Sequence, residues 1–328
     1  MSQKSIAVLT SGGDAPGMNA AVRAVVRTGI NRGMRVYGIH RGYNGLLKED
    51  IEEMDLRSVS DIIGNGGTKL YTARCKEFEQ EENQLKAAKY CQEMGINGIV
   101  VVGGDGSFRG ARALAKAAKK LGSDIQCIGV PGTIDNDIAC SEYTIGFDTA
   151  MNTALEMVDR IRDTAQSHDR CSIVEVMGRR CGDIALQTGI ATGATAILVP
   201  EVEYDIERDV IARIINTQKT GKQHFIIVVA EGVGGVRDLA KYIEHRLRIE
   251  ARATILGHVQ RGGSPTLRDR VVASQMGYKA VDLIDKGMGN RVVVMQNGKI
   301  TDLDIDEALE KERVFDKELY KIAMTISI

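Results

Sequence analysis

Short apolar runs that end in glycine-containing turns occur at three places in this sequence. Residues 6–10 lead into the turn 11–17, residues 98–102 into the turn 103–107, and residues 125–130 into the loop 131–137. Each run has the length and composition of a buried strand, and helical stretches follow the first two turns, at 18–32 and 108–121. Apolar strands that alternate with helices predict parallel sheets covered on both faces, with ligands bound at the carboxyl ends of the strands.

The same alternation continues through almost the whole chain. Further strands are predicted at 35–40, 172–176, 196–199, 224–230, 253–256 and 291–295, and further helices at 79–94, 147–166, 205–218, 237–247 and 267–286. The chain has 328 residues, of which 43% are apolar, so it is long enough for one large or two ordinary domains. These features predict an α/β protein with mostly parallel sheets.

The turn 103–107 reads Gly-Gly-Asp-Gly-Ser and leads into a predicted helix. Free backbone N–H groups converge where a glycine turn meets the N-terminus of a helix, which makes such a turn a site for anions. The turn 11–17 occupies the same place after its own strand. Glycines and carboxylates at these strand ends predict the binding of phosphates together with a divalent cation. Asp105 has the alternative role of capping the following helix.

The loop 131–137 carries a hydroxyl and two carboxylates at alternate positions, on Thr133, Asp135 and Asp137. Side chains two residues apart in an extended segment point the same way, so these three are expected to face one site. Neighbouring carboxylates repel each other, and sites that hold them use a metal, a cation or a shared proton. A plain turn rich in Asp and Asn is the alternative interpretation of this loop.

Composition argues against several other classes of protein. The formal net charge of −1 is unlike that of a general nucleic-acid-binding protein, and no apolar run is long enough to cross a bilayer. The chain begins with a polar segment rather than a signal peptide, and its six cysteines form no Cys-x-x-Cys pair. Free thiols of this kind predict a reducing compartment, so we expect a cytoplasmic protein.

Several familiar motifs are also absent from the sequence. It contains neither the Gly-x-x-x-x-Gly-Lys-Ser/Thr loop of P-loop kinases nor the His-Glu-x-x-His motif of zinc enzymes. The glycines 104, 106 and 110 miss the dinucleotide-binding spacing by one residue, which leaves a Rossmann dehydrogenase only as an alternative.

Five segments, taken in order, resemble those of bacterial-type ATP-dependent 6-phosphofructokinases. They are residues 10–19, 103–107, 131–137, 175–179 and 256–265. The resemblance covers almost the whole chain. It implies two three-layer α/β/α domains of Rossmann-like topology, with the active site in the cleft between them. The implied ATP-binding domain comprises residues 1–146 and 260–305, and the implied sugar-phosphate domain comprises residues 147–259 and 306–328.

The resemblance assigns the phosphate donor to the glycine turns. ATP is then expected on Gly12, Arg74, Cys75, Gly104, Asp105, Gly106 and Ser107. Asp105 would hold Mg²⁺, which prefers one or two carboxylates together with phosphate oxygens and water. Arg74 would stabilise the transferring phosphoryl group as charge spreads over its oxygens.

Two glycines bear on the choice of donor. Relatives that use pyrophosphate tend to carry Asp in place of Gly106 and Lys in place of Gly132, so glycine at both positions favours ATP. Lys76 and Glu79 depart from the family pattern, in which Pro and a basic residue are common, so contacts to the base or ribose are expected to differ.

The acceptor implied by the resemblance is fructose 6-phosphate. Asp135 would be the general base for its 1-hydroxyl, Asp137 would orient that base or the cation, and Thr133 would hydrogen-bond the reacting region. The sugar would lie on Met177, Gly178, Arg179 and Glu231, and its 6-phosphate on Arg170, Arg252, His258 and Arg261. The resemblance implies a homo-oligomer, a homotetramer, in which Arg170 and Arg252 reach the active site of a neighbouring subunit.

Three other functions remain open at this point. The first is a pyrophosphate-dependent phosphofructokinase. The second is another kinase with the Gly-Gly-Asp-Gly turn that acts on NAD or a lipid, for which the four cationic residues of the 6-phosphate site would not be required. The third is a sugar-phosphate-binding regulatory subunit without activity, against which the presence of Asp105, Asp135 and Arg74 argues.

An effector site is also implied by the resemblance. Its residues would be Arg23, Arg27, Arg162 and Lys222. Leu56, Thr195 and Thr220 stand where relatives have Arg, an acid that holds the effector's Mg²⁺, and Lys, while Arg57 follows one position along. We therefore expect weak or no activation by ADP.

Overall fold

The computed structural model describes residues 3–327, which form two compact units. The first unit extends to Ile134 and also contains Ile138–Asp148 and Arg261–Arg313. The second unit contains Asp135–Asp137, Thr149–Gln260 and the chain from Val314 onward. The loop with the two predicted catalytic carboxylates thus belongs to the second unit, although the strand that precedes it belongs to the first.

Strands and helices alternate along both units. The strands are β1 (Ser5–Thr10), β2 (Arg35–Ile39), β3 (Ile51–Glu53), β4 (Ile96–Gly103), β5 (Gln126–Pro131), β6 (Cys171–Val176), β7 (Ala196–Leu198), β8 (Phe225–Ala230), β9 (Ala251–Ile255), β10 (Arg291–Gln296) and β11 (Lys299–Asp304). The helices are α1 (Met18–Asn31), α2 (Tyr43–Lys48), α3 (Glu81–Glu93), α4 (Asp105–Lys120), α5 (Phe147–Ser167), α6 (Asp183–Ala191), α7 (Ala212–Lys219), α8 (Val236–Leu247), α9 (Leu267–Asp285), α10 (Ile305–Glu310) and α11 (Lys317–Ile326).

The first unit is built on a sheet that has seven strands within residues 3–327, in the order β11-β10-β5-β4-β1-β2-β3. The five inner strands run parallel, and β3 and β11 pair antiparallel at the two edges. The register sets Thr10 opposite Val102 and Gly103 opposite Pro131. The carboxyl ends of β1, β4 and β5 therefore meet at one edge of the sheet, which confirms the predicted α/β architecture.

Few aromatic side chains take part in the core of the first unit, and three of them bear on the site. The ring of Tyr43 in α2 stacks on Phe78 with 4.3 Å between centroids. The Tyr43 hydroxyl donates to the carbonyl oxygen of Ser107 at 2.6 Å, which ties α2 to the first turn of α4. Phe108 is almost fully buried in the same cluster. Burial of such a side chain contributes about 1.5–3 kcal/mol, so the start of α4 is firmly held.

A fully buried carboxylate fixes the segment that follows the loop 131–137. Asp269 in α9 accepts hydrogen bonds from the Tyr143 hydroxyl at 2.6 Å and from the Gly146 N–H at 2.8 Å. The N–H of Ile145 donates to the carbonyl oxygen of Pro131 at 2.9 Å, and Ile145 forms a β-bridge with Gly132. Burial, with Asp269 alongside, raises the pKa of Tyr143 well above its ordinary value.

The second unit contains a parallel sheet in the order β7-β8-β6-β9, counted within the described residues. β6 pairs with β8 from Cys171↔Phe225 to Val176↔Ala230, so both strands end at the same edge. Ile173, Ile227 and Val229 lie in a core of aliphatic residues together with Phe225. The turn after β6 and the segment after β8 consequently emerge side by side.

The crossings between the units differ from the expected boundaries at residues 146, 259 and 305. The structure has the main crossings at 148/149, 260/261 and 313/314. The last shows the largest difference, because Ile305 and Ala308 of α10 are buried in the core of the first unit. That helix therefore belongs to the first unit.

Several elements were not predicted from the sequence pattern. β3 and β11 are short or half-exposed edge strands, and α6 is so evenly apolar that it has no amphipathic signature. The helix expected at 205–218 begins as a π-helical turn, Ile206–Ile211, and continues as α7. Within residues 3–327, no helix combines the length and apolar character needed to span a bilayer.

Candidate active site

The glycine turns after β1 and β4 lie against each other. A Cβ at Gly103 would stand 2.5 Å from both Ser107 Oγ and the carbonyl oxygen of Ser11, so only glycine allows this approach. The Ser107 hydroxyl donates to the same carbonyl oxygen at 3.2 Å. Gly12 follows with a φ of 91°, a conformation that favours glycine. Together the turns form one surface made largely of backbone, as phosphate binding requires.

α4 begins at Asp105, earlier than the predicted start at residue 108. Gly104 is extended and precedes the helix, while Asp105, Gly106 and Ser107 form its first turn. The first N–H groups of a helix have no acceptor one turn back and carry partial positive charge, although the Ser107 N–H donates to the carbonyl oxygen of Gly104 at 2.9 Å. Apart from its chain neighbours and the backbone of α4, no heavy atom of the described residues lies within 4 Å of a Cβ built on Gly106. The first turn of α4 therefore offers N–H donors, a carboxylate and open space.

The segment before Arg74 passes over the first glycine turn. Thr10 Oγ1 donates to the carbonyl oxygen of Tyr71 at 2.7 Å. Thr72 Oγ1 donates to the carbonyl oxygen of Gly12 at 2.9 Å. These two bonds hold the backbone just before Arg74, which is exposed, next to the predicted phosphate site.

The cysteines differ in their exposure. No disulfide joins any of the six, all of which lie in the described part of the chain. Burial raises the pKa of Cys91 and of Cys171 to about 12, and the pKa of Cys140 to about 11. Cys75, which follows Arg74, is only half-buried, and its Sγ donates to Asn44 Oδ1 at 3.7 Å. Cys75 is thus the accessible thiol of the predicted nucleotide region.

The loop after β5 is not extended, which corrects the expectation that Thr133, Asp135 and Asp137 alternate along a straight segment. Ile134 and Asp135 form a turn, and Asn136 is left-handed with a φ of 51°. Thr133 and Asp135 are buried, whereas Asp137 is half-buried. Side chains two residues apart point the same way only in an extended backbone, so the expectation fails at this turn.

Gly132 is required by close packing. Its N–H donates to the carbonyl oxygen of Gly103 at 2.9 Å, which continues the pairing of β4 and β5 beyond the last strand residue. A Cβ at this position would lie 2.8 Å from Val102 Cγ1 and 3.3 Å from Met18 Cε. A lysine at residue 132 would therefore need a shift of β4 or α1.

Contacts within the second unit hold Asp137 and the neighbouring Asn136. Asp137 Oδ2 lies 3.5 Å from Arg179 Nη1. Between the carboxylates, Asn136 donates from Nδ2 to Asp183 Oδ2 at 2.9 Å. Cys181 Sγ donates to the carbonyl oxygen of Asn136 at 3.9 Å. Asp183 is a residue that the sequence pattern did not single out.

The predicted sugar-binding turn is held by two side chains. Gln260 Oε1 accepts from the N–H of Met177 at 2.8 Å. Glu231 Oε1 accepts from the N–H groups of Gly178 at 3.2 Å and Arg179 at 2.5 Å. Both turn residues have positive φ, 137° and 59°. Glu231, which was predicted to bind the sugar together with this turn, thus also fixes the backbone of the turn. Gln260 was missed, although its place beside Arg261 was a signal that could have found it.

Burial and the nearby Glu231 raise the pKa of Glu175, which precedes the turn on β6. Gln260 is fully buried and its Nε2 donates to the carbonyl oxygen of Ala150 at 3.4 Å. The Met177 N–H of the predicted sugar-binding turn therefore depends on a buried polar side chain, whose loss would leave that donor unsatisfied.

One carboxylate joins two of the predicted phosphate ligands. Glu250 accepts from Arg170 Nε at 2.5 Å and from Arg252 Nε at 2.7 Å. These two hydrogen bonds hold the pKa of Glu250 below its ordinary value. Arg252 and His258 are exposed, whereas the side chain of Arg170 is largely covered. The structure therefore brings Arg170 and Arg252 together around a residue that sequence reasoning missed.

Arg261, the fourth predicted phosphate ligand, belongs to the first unit. Its Nη1 donates to the carbonyl oxygen of Asp14 at 3.1 Å. A Cβ on Gly13 would lie 2.7 Å from that nitrogen, so the guanidinium rests directly on the first glycine turn.

The predicted effector residues fall into two groups. Arg23 and Arg27 are neighbours on α1, where burial and then Arg27 lower the pKa of Arg23. In the second unit, burial and then Arg162 lower the pKa of Lys222, while burial, Lys222 and Arg162 lower that of His224. Arg162 donates to the carbonyl oxygen of Thr192. His224, which the sequence pattern did not single out, lies beside these two cations, and its lowered pKa favours the neutral imidazole.

The position that lacks the acid of relatives is buried. Thr195 is 2% exposed, and its N–H donates to the carbonyl oxygen of Ile226 at 2.7 Å. Leu56 is half-exposed, and Thr220 Oγ1 donates to the carbonyl oxygen of Thr217. None of these three side chains supplies a cation or a metal-binding carboxylate.

A comparison with protein families decides where the chain belongs. The family model described as phosphofructokinase matches residues 5–284, which includes both glycine turns, the loop after β5 and the sugar-binding turn. The chain belongs to the phosphofructokinase family.

Close relatives of this phosphofructokinase match it from end to end. It is 59% identical over 324 residues to the ATP-dependent 6-phosphofructokinase of Clostridium botulinum (strain Hall), with 99% of each chain covered. It is 56% identical over 325 residues to the protein of the same name from Clostridioides difficile (strain 630), with 99% of this chain and all of the relative covered.

Solved phosphofructokinases share its fold. The structure of phosphofructokinase from Saccharomyces cerevisiae has a TM-score of 0.88 and 35% identity, and the match covers 99% of this chain but 47% of the yeast chain. The pyrophosphate-dependent phosphofructokinase from Marinobacter aquaeolei has a TM-score of 0.86 and 23% identity, with 96% of this chain and 86% of the other covered. At that identity the second likeness concerns the fold alone.

Proposed function

We propose that this phosphofructokinase is ATP-dependent and phosphorylates the 1-hydroxyl of fructose 6-phosphate to give fructose 1,6-bisphosphate. The observation that carries the proposal is the full-length identity of 59% to a protein named ATP-dependent 6-phosphofructokinase. The meeting of the β1, β4 and β5 carboxyl ends supports it, because phosphoryl transfer depends on positioning and on charge stabilisation.

The donor phosphates bind the glycine turns. The backbone of Gly12 and Gly104 and the first turn of α4 direct N–H groups at the phosphate oxygens. The open space beside Gly106 accommodates the α-phosphate of a nucleotide. ATP is favoured over pyrophosphate because glycine at 106 and 132 leaves that space free and adds no lysine that would mimic the α-phosphate.

Asp105 is the proposed Mg²⁺ ligand. Its position at the start of α4, beside the phosphate-binding N–H groups, fits a hard cation that keeps most of its shell from phosphate and water. Within residues 3–327, no three acidic, His or Cys side chains are gathered as a complete metal cage, so Asp105 would act with ligands from the nucleotide. When bound with ATP, Mg²⁺ neutralises charge on the phosphate oxygens.

Asp135 is the proposed general base. It takes the proton from the 1-hydroxyl as that oxygen attacks the γ-phosphorus and the bond from the γ-phosphorus to the bridging oxygen breaks, which releases ADP; such a base contributes about 10²- to 10⁴-fold to the rate. Burial keeps water away from this carboxylate. Thr133 hydrogen-bonds the reacting groups, and Asp137 with its partner Arg179 orients the base. Arg74 stabilises the charge that spreads over the transferring phosphoryl oxygens.

The sugar binds the turn at Met177, Gly178 and Arg179 together with Glu231, and its 6-phosphate binds four cationic residues. These are Arg170, Arg252, His258 and Arg261. In the proposed homotetramer, Arg170 and Arg252 serve the site of a neighbouring subunit. Their pairing with Glu250 supports this role, since it holds both guanidinium groups in one place before phosphate arrives.

Regulation and location complete the proposal. Arg23, Arg27, Arg162 and Lys222 bind an anionic effector between subunits, but without the metal-binding acid the response to ADP is weak or absent. We place the enzyme in the cytoplasm, in keeping with thiols that form no disulfides.

The direct test measures fructose 1,6-bisphosphate formation from fructose 6-phosphate with ATP or with pyrophosphate. We expect turnover with ATP and Mg²⁺ and at most traces with pyrophosphate. Turnover with pyrophosphate alone would identify the pyrophosphate-dependent alternative. Binding of fructose 6-phosphate without turnover with either donor would identify a regulatory subunit, and phosphorylation of NAD or a lipid instead would identify a different kinase.

A further inference from the structure

Asn136 separates the two proposed catalytic carboxylates in a conformation that side chains rarely adopt. Its φ of 51° lies in the left-handed region, where a residue other than glycine carries a cost of roughly 1–2 kcal/mol. Asn is among the few residues that tolerate this region. Such conformations persist only where the surroundings enforce them, and they gather at functional sites.

The surrounding structure enforces the conformation through Asp183. Asn136 donates from Nδ2 to Asp183 Oδ2 at 2.9 Å, and Cys181 Sγ donates to the Asn136 carbonyl oxygen. Asp183 is the first residue of α6 and is therefore part of a regular element rather than of a loose loop. A carboxylate acceptor makes the Asn136 bond stronger than one between two neutral groups.

Asp183 is itself anchored. The preceding Gly182 donates its N–H to both carboxylate oxygens of Glu201, at 2.9 and 3.1 Å. A Cβ on Gly182 would lie 2.5 Å from Val199 Cβ, so the start of α6 is packed against the segment after β7 without spare room. Contacts thus run without a break from Glu201 through Gly182 and Asp183 to Asn136.

The left-handed turn at Asn136 gives its two neighbours different surroundings. Asp137 lies 3.5 Å from Arg179, whereas Asp135 is 6% exposed. In an extended loop the two carboxylates would lie on one side and repel each other. The geometry points to Asp183 as a positioning residue which, acting through the Asn136 amide, fixes the loop so that the Asp135 carboxylate alone meets the acceptor hydroxyl.

This assignment rests on the proposed role of Asp135 as the base. A base displaced by about 1 Å loses about 10²-fold in rate, whereas binding of the sugar on other residues is largely kept. We therefore expect Asn136→Ala to lower kcat by about 10- to 100-fold while the KM for fructose 6-phosphate changes by less than about threefold. Asp183→Ala is expected to act in the same way.

Conservative variants test whether loss of the hydrogen bond between Asn136 and Asp183, rather than another effect of the substitution, lowers kcat. Asp183→Asn retains an oxygen acceptor for the Asn136 amide and should keep kcat within about threefold of the wild type. Asn136→Gly accommodates the left-handed backbone but removes the amide, so its kcat should lie between those of wild type and Asn136→Ala. Because both residues act through one bond, the double variant Asn136→Ala/Asp183→Ala should lose no more than the worse single variant.

Asn297→Ala is the matched control. Asn297 also has a positive φ, of 50°, in the turn between β10 and β11, so the same chemical change adds the same kind of strain there. It should lower the melting temperature through the same backbone strain, without the loss of a hydrogen bond to Asp183, while kcat stays unchanged. An equal fall in kcat for both would show that general destabilisation is responsible and would overturn the inference.

Asp135→Asn separates the inference from the function on which it rests. If Asp135→Asn turns over normally, the base has been misassigned and the proposed mechanism fails. If Asp135→Asn is inactive while Asp183→Ala and Asn136→Ala keep wild-type kcat, the base stands and the positioning role is refuted. A rise in KM with unchanged kcat in both alanine variants would also overturn it, since it would show a role in sugar binding.

Discussion

Arg261 and Asp14 are joined by a hydrogen bond from the guanidinium Nη1 to the backbone carbonyl oxygen, 3.1 Å long. The same nitrogen would lie 2.7 Å from a Cβ on Gly13. A residue proposed to bind the phosphate of the sugar is therefore seated on the turn proposed to bind the phosphates of ATP. The lack of a side chain at residue 13 makes this arrangement possible.

Gly13→Ala should disturb the contact between the Arg261 guanidinium and this turn. The added methyl group would push the Arg261 guanidinium away, and we expect the KM for fructose 6-phosphate to rise about tenfold, because one charge-assisted contact to phosphate is weakened. The KM for ATP should change less. Steady-state kinetics with each substrate varied in turn would measure both effects.

Gly64→Ala is a suitable control for that variant, because its Cβ would lie 3.4 Å from Arg270 Nη1, an ordinary contact distance. It should leave both KM values unchanged. If Gly13→Ala raised only the KM for ATP, Arg261 would be a structural part of the donor turn and not a sugar-phosphate ligand.

Asp135→Asn should lower kcat by about 10²-fold or more, because the amide cannot accept the hydroxyl proton. Binding of fructose 6-phosphate, measured by calorimetry, should persist. Asp163→Asn on the exposed face of α5 makes the same chemical change elsewhere and should be without effect. Turnover near the wild-type level in Asp135→Asn would remove the proposed base.

Arg252→Ala should chiefly weaken binding of fructose 6-phosphate, since it removes one phosphate donor and leaves Glu250 paired with Arg170 alone. The donor turns are untouched, so the KM for ATP should stay nearly constant. The variant also tests whether sites are shared. Oligomers mixed from Arg252→Ala and Asp135→Asn subunits should regain activity, because some sites would receive an intact base and an intact arginine. Absence of recovery in oligomers shown to be mixed would mean that each site is built from one chain.

Millimolar ADP should have little effect on saturation by fructose 6-phosphate. Thr195 is buried and brings no carboxylate for an effector's metal ion, and Leu56 brings no charge. The remaining cations, Arg162 and Lys222, lie close enough together that Arg162 lowers the pKa of Lys222 further than burial does alone. The curves should therefore coincide with and without ADP. A sigmoidal curve that ADP converts to a hyperbolic one would show a working ADP site, with Arg57 as the first residue to test.

Buried thiols should make the protein less stable at alkaline pH. An unfolded thiol ionises near its ordinary pKa of about 8.5. Burial raises the pKa of Cys91 and of Cys171 to about 12 in the folded chain. Between these values the unfolded state binds fewer protons than the folded state, so the free energy of unfolding falls as pH rises, by up to about 1.4 kcal/mol per pH unit for each thiol.

Melting temperatures measured from about pH 8 to about pH 11 would test this. Cys171→Ala should reduce the slope against pH even though it lowers stability, because the titrating group is gone. Val174→Ala, a truncation on the same strand without a titrating group, should lower stability and keep the wild-type slope. Equal slopes in all three proteins would contradict the proposed cause.

The sequence was most informative where the structure follows the periodicity of apolar residues. β1, β4 and β5 and the turns after them were predictable because buried parallel strands are nearly continuous apolar runs. The edge strands and α6 were not, since a half-exposed strand and an evenly apolar helix lack such a pattern.

The supporting residues of the candidate site were beyond sequence reasoning for a different reason. Gln260, Asp183 and, in its bond to Arg170, Glu250 act on backbone or side chains far away in the sequence, and nothing in their local pattern marks those partners. The left-handed turn at Asn136 was likewise hidden, because Asn is compatible with both an extended segment and a turn. The resemblance to a family predicted the reacting groups, whereas the residues that hold them in place could be found only from the structure.

The order in which the first unit acquires its strands has a consequence for synthesis. β10 completes the sheet by pairing with β5, through Arg291↔Ile128, and Asp269 secures the segment at Gly146. Both contacts need residues that leave the ribosome only after residues 149–260 of the second unit have been synthesised. Until then the exposed edge of β5 is a strand without its neighbour, open to pairing with other nascent chains. Molecular chaperones that shield such edges are therefore expected to matter most while the second unit is being synthesised, before β10 has emerged.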